Sequence, residues 1–203
     1  LRSNRSPSAK PVRHLRVESD ALQTPTMRYT IVLVTASLFA GAANAQYLAD
    51  NPATDPVGDL YKAGEKAYRN GDHSTAISIF SQVIEASPDH INAHLQRGFC
   101  HTLVKDYGKA VADFTAVIDR KPDHTWAYTS RGSAYAKMEK HAEAIADFDK
   151  AIALDPKNAE AFNNRGWSRK AGGDAEGGCK DWKTSQRMGN GEARIILKNN
   201  RCK

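Results

Sequence analysis

The segment INAHLQRGFCHTLVKDYGKAVADFTAVIDRKPDH (91–124) is followed by TWAYTSRGSAYAKMEKHAEAIADFDKAIALDPKN (125–158), and the two align residue for residue at an offset of 34. The offset extends in both directions. Pro88, Pro122 and Pro156 keep it, as do Gly64, Gly98, Gly132 and Gly166. Ala76, Ala110 and Ala144 continue into Gly178, and Phe80, Phe114 and Phe148 into Trp182. Four independent marks at one period indicate a repeat architecture before any single motif is considered.

Each copy has a physical reading. Between the marks lie two amphipathic stretches with apolar residues at helical spacing, as in Ala76, Ile77, Phe80, Val83 and Ile84. The paired small residues (Gly64 with Ala76, Gly98 with Ala110, Gly132 with Ala144) predict close approach of the two helices, with the aromatic filling the space beside the contact. Proline ends the second helix, because it lacks the amide donor and clashes with the preceding turn. Asn70-Gly71-Asp72 and Gly172-Gly173-Asp174 predict the turns inside the first and fourth pairs. One pair cannot bury its apolar face alone; stacked neighbours can.

These residue types and spacings resemble the tetratricopeptide repeat family. The resemblance implies an all-α, right-handed α-solenoid of about four helix-turn-helix units plus a C-terminal capping helix. Its repeats fall at 57–90, 91–124, 125–158 and a degenerate 159–190, with 191–203 as the cap. In the last copy Gly178, Ser185 and Asn190 replace the expected alanine, small residue and proline.

The family usually binds proteins or peptides on the concave face, lined by the first helix of each pair. Its groove positions correspond here to Tyr61, Tyr68, Asn92, Leu95, Gln96, Phe99, Trp126, Ser130, Asn163, Asn164 and Trp167. Aromatic anchors supply contact area at low entropic cost, and amides can hydrogen-bond a peptide backbone. Some family members grip a C-terminal carboxylate with Lys, Arg and Asn. This chain has Tyr61 and Glu65 at two of those places and Trp126 and Ser130 in the third copy, which argues against such a clamp.

A second ladder runs through the repeats. Arg97, Arg131 and Arg165 precede three of the glycines, and Asp113, Asp147 and Asp181 precede three of the aromatics. The first copy has Ala63 and Ile79 instead. Pairing Arg97–Asp113, Arg131–Asp147 and Arg165–Asp181 strands no charge, whereas pairing each aspartate with the next arginine strands two. The matched loss in copy one favours structural bridges over an arginine row for anionic partners, although Arg suits carboxylate and phosphate.

The formal net charge is +6. Arg2, Arg5, Lys10, Arg13, Arg16 and Arg28 stand before residue 46 against Glu18 and Asp20 alone, so the basicity belongs to the N-terminal part and gives no reason to expect nucleic acid. Residues 27–45 predict a cleavable signal peptide: Met27-Arg28, an apolar run from Ile31 to Ala43, and Ala43-Asn44-Ala45 at the cut. Residues 1–26 are expected to be an upstream extension, 46–56 a linker, and the mature chain periplasmic or secreted without a membrane span. Three cysteines follow the cut. Cys179 with Cys202 is the pairing that would tie down the last helix, and Cys100 is expected to pack as a small apolar residue.

His90, His94 and His101 have a spacing that could hold a metal, but His94 and His101 fall where the repeat packs aromatics, so no metal is expected. There is no phosphate loop, HExxH or nucleophile elbow, and no cofactor or enzymatic activity is expected. The expected role is a protein- or peptide-binding scaffold. The rival reading is a structural component that self-assembles through the solenoid ends.

Overall fold

The computed structural model describes residues 55–202. The expected signal peptide, the extension before it and most of the 46–56 linker lie outside them. Among the described residues the secondary structure is helical throughout: α1 (Pro56–Arg69), α2 (His73–Ala86), α3 (Ile91–Leu103), α4 (Tyr107–Arg120), α5 (Thr125–Lys137), α6 (His141–Leu154), α7 (Ala159–Ala171), α8 (Ala175–Arg187) and α9 (Gly191–Asn199). Consecutive helices pack on one another, giving four hairpins and a closing helix, an α-solenoid. The first helix opens at Pro56, inside the expected linker, because Asp55 caps it by accepting the Gly58 amide at 2.9 Å.

Capping side chains set the remaining starts except that of α6, where Lys140 makes no capping bond. Asp72, Asp106 and Asp174 each accept a backbone amide at the head of α2, α4 and α8. His90 and His124 cap α3 and α5 through Nδ1, which accepts from Ala93 and Ala127, and Asn158 caps α7 in the same way. The second helices of the first three pairs stop at Ala86, Arg120 and Leu154, two residues before their prolines. The turn inside each pair needs one residue in the left-handed region. Gly71 (φ 79°) and Gly173 (φ 97°) supply it in the outer copies, and Lys105 (φ 64°) and Glu139 (φ 60°) in the inner ones. All four hairpins therefore share one turn, including the two whose sequences carry no glycine signal.

The conserved step of glycine and aromatic has one cause. A Cβ at Gly64, Gly98 or Gly132 would stand 2.6, 2.8 or 2.9 Å from the ring of Phe80, Phe114 or Phe148, and one at Gly166 would stand 2.6 Å from Trp182 Nε1. The glycine thus seats the aromatic ring directly, where the sequence reading set the ring beside the helix contact. All four aromatics are fully buried. Burying a side chain of this size stabilises the fold by about 1.5–3 kcal/mol. Val117 and Ile118 on α4 join Tyr128 on α5 and Phe148 on α6 in one cluster, so the core runs from hairpin to hairpin.

The last hairpin is closed differently. Buried Ser185 stands where Val83, Val117 and Ala151 stand in earlier copies, and it donates to the Ala159 carbonyl at 2.7 Å. Cys179 on α8 is disulfide-bonded to Cys202, just past α9. Lys170 Nζ donates to Asn200 Oδ1. Cys100 is a buried free thiol, and burial pushes its pKa up to about 11. A native, oxidised chain should therefore show no thiol reactive to Ellman's reagent, and a denatured one should show a single thiol. Reduction should lower stability by up to about 3 kcal/mol, the expected entropy of this closed loop. Equal unfolding midpoints with and without dithiothreitol would contradict that account.

Candidate functional site

The first helices of the pairs are α1, α3, α5 and α7, and the last three of them line hollows. Between α5 and α7 lie two. The first, about 240 Å³, is lined by Phe99, Trp126, Thr129, Ser130, Asn158, Glu160 and Asp155 at the end of α6. The second, about 540 Å³, is lined by Ser133, Lys137, Asn164 and Trp167, with His141 and Phe148 of α6 beneath. Thus Trp126, Ser130, Ser133 and Lys137 lie along one face of α5, and Glu160, Asn164 and Trp167 lie along one face of α7. Two side-chain rungs fix their floor. Asn158 Nδ2 donates to Thr129 Oγ1 at 3.2 Å, and Asn164 Nδ2 donates to Ser133 Oγ at 3.3 Å.

The aromatics expected in the groove differ in availability. Trp126 is 69% exposed and makes no ring contact among the described residues. Trp167, 45% exposed, sets its edge against Trp182 at 4.9 Å, with Lys170 Nζ 5.8 Å from its centroid. Phe99 is half-buried and meets Phe114 edge-on at 5.4 Å. Tyr61 stacks on His90 at 4.9 Å, and its phenol pKa is raised by burial and by the neighbouring Glu65 carboxylate. Tyr68 leans on His73 at 5.8 Å.

Among the polar residues, Asn92 is exposed beside the loops that carry Lys121 and His124, and Gln96 shares a hydrogen bond with Tyr61. Three expected groove residues stand elsewhere or are already engaged. Leu95 packs against the core clusters of α4 and α5. Asn163 is buried; its carbonyl accepts the Trp182 indole N–H at 3.1 Å. Asn164 gives one amide N–H to Ser133 and accepts from Asn163 through Oδ1, so it is partly engaged.

The arginines lie between the hairpins. Arg97 donates through Nε and Nη2 to both oxygens of Asp113 (2.9 and 2.7 Å), and Arg131 does the same to Asp147 (2.8 and 2.8 Å). Arg165 does the same to Asp181 (2.9 and 2.6 Å). The remaining Nη1 reaches back one repeat, to Ser81 Oγ, Thr115 Oγ1 and the Asp149 carboxylate in turn. Each guanidinium therefore joins its own pair and the pair before it, where the sequence suggested a choice between the two. Hydrogen bonding to Asp147 raises the Arg131 pKa despite burial. With their donors engaged inside the stack, these arginines are not a row open to an anionic partner.

The histidines belong to this interior. His94 bridges Asp113 Oδ1 (3.2 Å) and the Pro88 carbonyl (3.0 Å). His101 comes within 4.0 Å of Asp113, but burial lowers its pKa and favours the neutral ring. Among the described residues no group of three or more His, Cys, Asp or Glu is arranged to hold a metal, and no helix is long and apolar enough to cross a membrane.

Hairpins stacked at a fixed step, each sealed by a glycine-seated aromatic and open on the side of its first helices, define a helical-repeat protein of the solenoid class. Tetratricopeptide repeat models match residues 61–125 and 125–158. Residues 61–158 of the chain are tetratricopeptide repeats. Its fold is similar to that of MamA from Desulfovibrio magneticus RS-1 (TM-score 0.64, 22% identity, 82% of this chain and 97% of that one). A second MamA crystal structure gives TM-score 0.65 at 21% identity, covering 79% and 94%. The first tetratricopeptide domain of Spaghetti (RPAP3), solved with the HSP90 peptide SRMEEVD, matches at TM-score 0.56 and 25% identity over 58% of this chain and 93% of that one. No curated protein gives a significant match.

Proposed function

We propose that the chain is a non-enzymatic scaffold that holds an extended segment of another polypeptide in the groove between its first helices. The observation that carries this is Trp126: a large aromatic, 69% exposed, without a ring partner, standing over a hollow that continues along α5 and α7. Exposed tryptophans over pockets are the residues that dominate measured interface energies. The likeness to a domain solved with a peptide supports the mode of binding. The acidic peptide of that domain is not taken over as the ligand class, since Tyr61 and Glu65 occupy two places where a carboxylate clamp needs basic or amide groups. Export through the signal peptide ending at Ala45 is part of the same proposal, supported by the Cys179–Cys202 bridge, which suits an oxidising compartment.

A random peptide library displayed on phage, panned against the chain, tests the groove. The selected peptides should lose at least about tenfold in affinity toward the Trp126→Ala/Trp167→Ala variant, the scale of one strong interface anchor, while its circular dichroism stays unchanged. Peptides that bind both proteins equally would sink the reading. Weight would then move to the solenoid end, where Ile195 is 59% and Met188 38% exposed, and to self-association abolished by Ile195→Glu.

A further inference from the structure

The two hollows between α5 and α7 differ in chemistry, and the difference names what they would hold. In the first, the formally charged groups are Asp155 and Glu160. Neither has a cation within ion-pairing distance among the described residues; the Asp155 carboxylate accepts only the backbone amide of Lys157, at 3.0 Å. The Ser130 hydroxyl and the Trp126 indole line the same space with no hydrogen-bond partner among the described residues. Two unneutralised carboxylates beside an open indole face suit a cation, since a Lys or Arg head gains from both the charges and the ring quadrupole. At about 240 Å³ the hollow is smaller than an ordinary small-molecule pocket, roughly 300–1,000 Å³. It is sized for one side chain.

The second hollow is larger and mostly apolar, with Phe148 and Ala136 beneath the indole of Trp167 and Ala171 at its end. Its one formally charged group is Lys137, which is exposed and makes no ion pair among the described residues. A cation gains nothing there; a bulky apolar side chain does, by covering that surface.

The spacing follows from the helix. Trp126 and Ser130 line the first hollow, and Ser133 and Lys137 stand seven residues further along the same face of α5 and line the second. At 1.5 Å per residue that is about 10 Å, and a segment in the extended polyproline II conformation covers about 9 Å in three residues at ~3.1 Å each, with residues i and i+3 on the same side. The floor amides of Asn158 and Asn164 each spend one N–H on Thr129 and Ser133, and an amide reads peptide backbone without regard to sequence, so discrimination falls to the side chains that enter the hollows.

From this geometry we infer that the groove selects polypeptide segments carrying a Lys or Arg three residues from a bulky apolar residue, the cation between Trp126, Asp155 and Glu160 and the apolar side chain against Trp167. The inference rests on the groove-binding reading above and deepens it.

The phage library panned on three proteins tests it: the unchanged chain, Glu160→Lys, and Trp126→Ala/Trp167→Ala. A fourth, Asp155→Asn/Glu160→Gln, removes the charges with almost no change of shape and guards against misfolding of the reversal. Sequences from the unchanged chain should be enriched in Lys or Arg three places from Leu, Ile, Met, Phe or Trp. Peptides of that pattern should bind at least about tenfold more weakly to Glu160→Lys and to the double amide, and replacing their basic residue by Glu should cost a similar factor. The loss should shrink in high salt, as exposed charge pairs are screened. Tryptophan-dependent peptides with no charge preference would overturn this inference and leave the groove reading standing. Peptides independent of both tryptophans would overturn both.

Discussion

Phe114→Ala should destabilise the chain by about 3–5 kcal/mol, the range for emptying a fully buried aromatic site. Phe114 is 0% exposed, sits on Gly98 and is met edge-on by Phe99 at 5.4 Å. On one side the ring meets the backbone of Gly98, which has no side chain to move into the vacated space. That arrangement makes a sharper test. In the unchanged chain Gly98→Ala puts a methyl 2.8 Å from the Phe114 ring, and the overpacking should cost about 1–3 kcal/mol. In the Phe114→Ala background the same methyl enters vacated space. There the better helix propensity of alanine, worth about 1 kcal/mol over glycine, should make Gly98→Ala stabilising. Urea unfolding of the four proteins reads the change of sign directly. A cost of Gly98→Ala that stays the same in both backgrounds would show that the glycine is kept for something other than the ring. Because repeats touch only their neighbours, amide exchange should rise first in α3 and α4.

How far the sequence carried this structure depends on which residues record geometry by their identity. Glycine under an aromatic and proline after a helix can each be met by one residue type, so they repeat as letters and the hairpins were legible from them. The inner turns were not. Lys105 and Glu139 hold the same left-handed position as Gly71 and Gly173, and a strained position filled by an ordinary residue leaves no mark. The third partner of each arginine was missed for a related reason. Ser81, Thr115 and Asp149 keep the step of 34, but a hydroxyl or a carboxylate serves equally as acceptor, so the role persists while the letter changes. The family resemblance put Trp126 and Trp167 on first helices, and the structure has them on α5 and α7. Burial of Asn163, and the engagement of Asn158 and Asn164 with the preceding first helix, depend on how tightly neighbouring pairs pack. That is a property of the stack, which no single copy encodes. The acidic character of the first hollow was hidden for the same reason, since Asp155 closes one helix and Glu160 opens the next.

The Arg131–Asp147 bridge should behave as a buried pair whose halves cost more to separate than to remove together. Asp147→Ala leaves the Arg131 side chain, 17% exposed, with its charge unmatched between the rings of Tyr128 (5.7 Å) and Tyr135 (6.0 Å). Stranding a buried charge costs about 3–5 kcal/mol. The guanidinium keeps its bond to Thr115 and some access to water, which points to the lower end, about 3 kcal/mol. The first copy contains a natural control: Ala63 and Ile79 stand where the pair would be, and that hairpin closes around Phe80 all the same. Arg131→Ala with Asp147→Ile copies it into the third repeat and removes both charges at once. The double variant should lose only about 1 kcal/mol, less than Asp147→Ile alone, so a cycle of Arg131→Ala, Asp147→Ile and both, read by urea unfolding, should show a coupling of at least about 2 kcal/mol, to which the cost of Arg131→Ala adds in full. What the pair adds is orientation. Two bonds to Asp147 on α6 and one to Thr115 on α4 tie α5 to both neighbours, and α5 carries Trp126 and Ser133. The double variant should therefore hold peptide more weakly than its small loss of stability implies, because the tryptophan is no longer held at one angle to α7. A cycle in which the single and double changes cost the same would reduce the bridge to filled space, and groove affinity should then be indifferent to it.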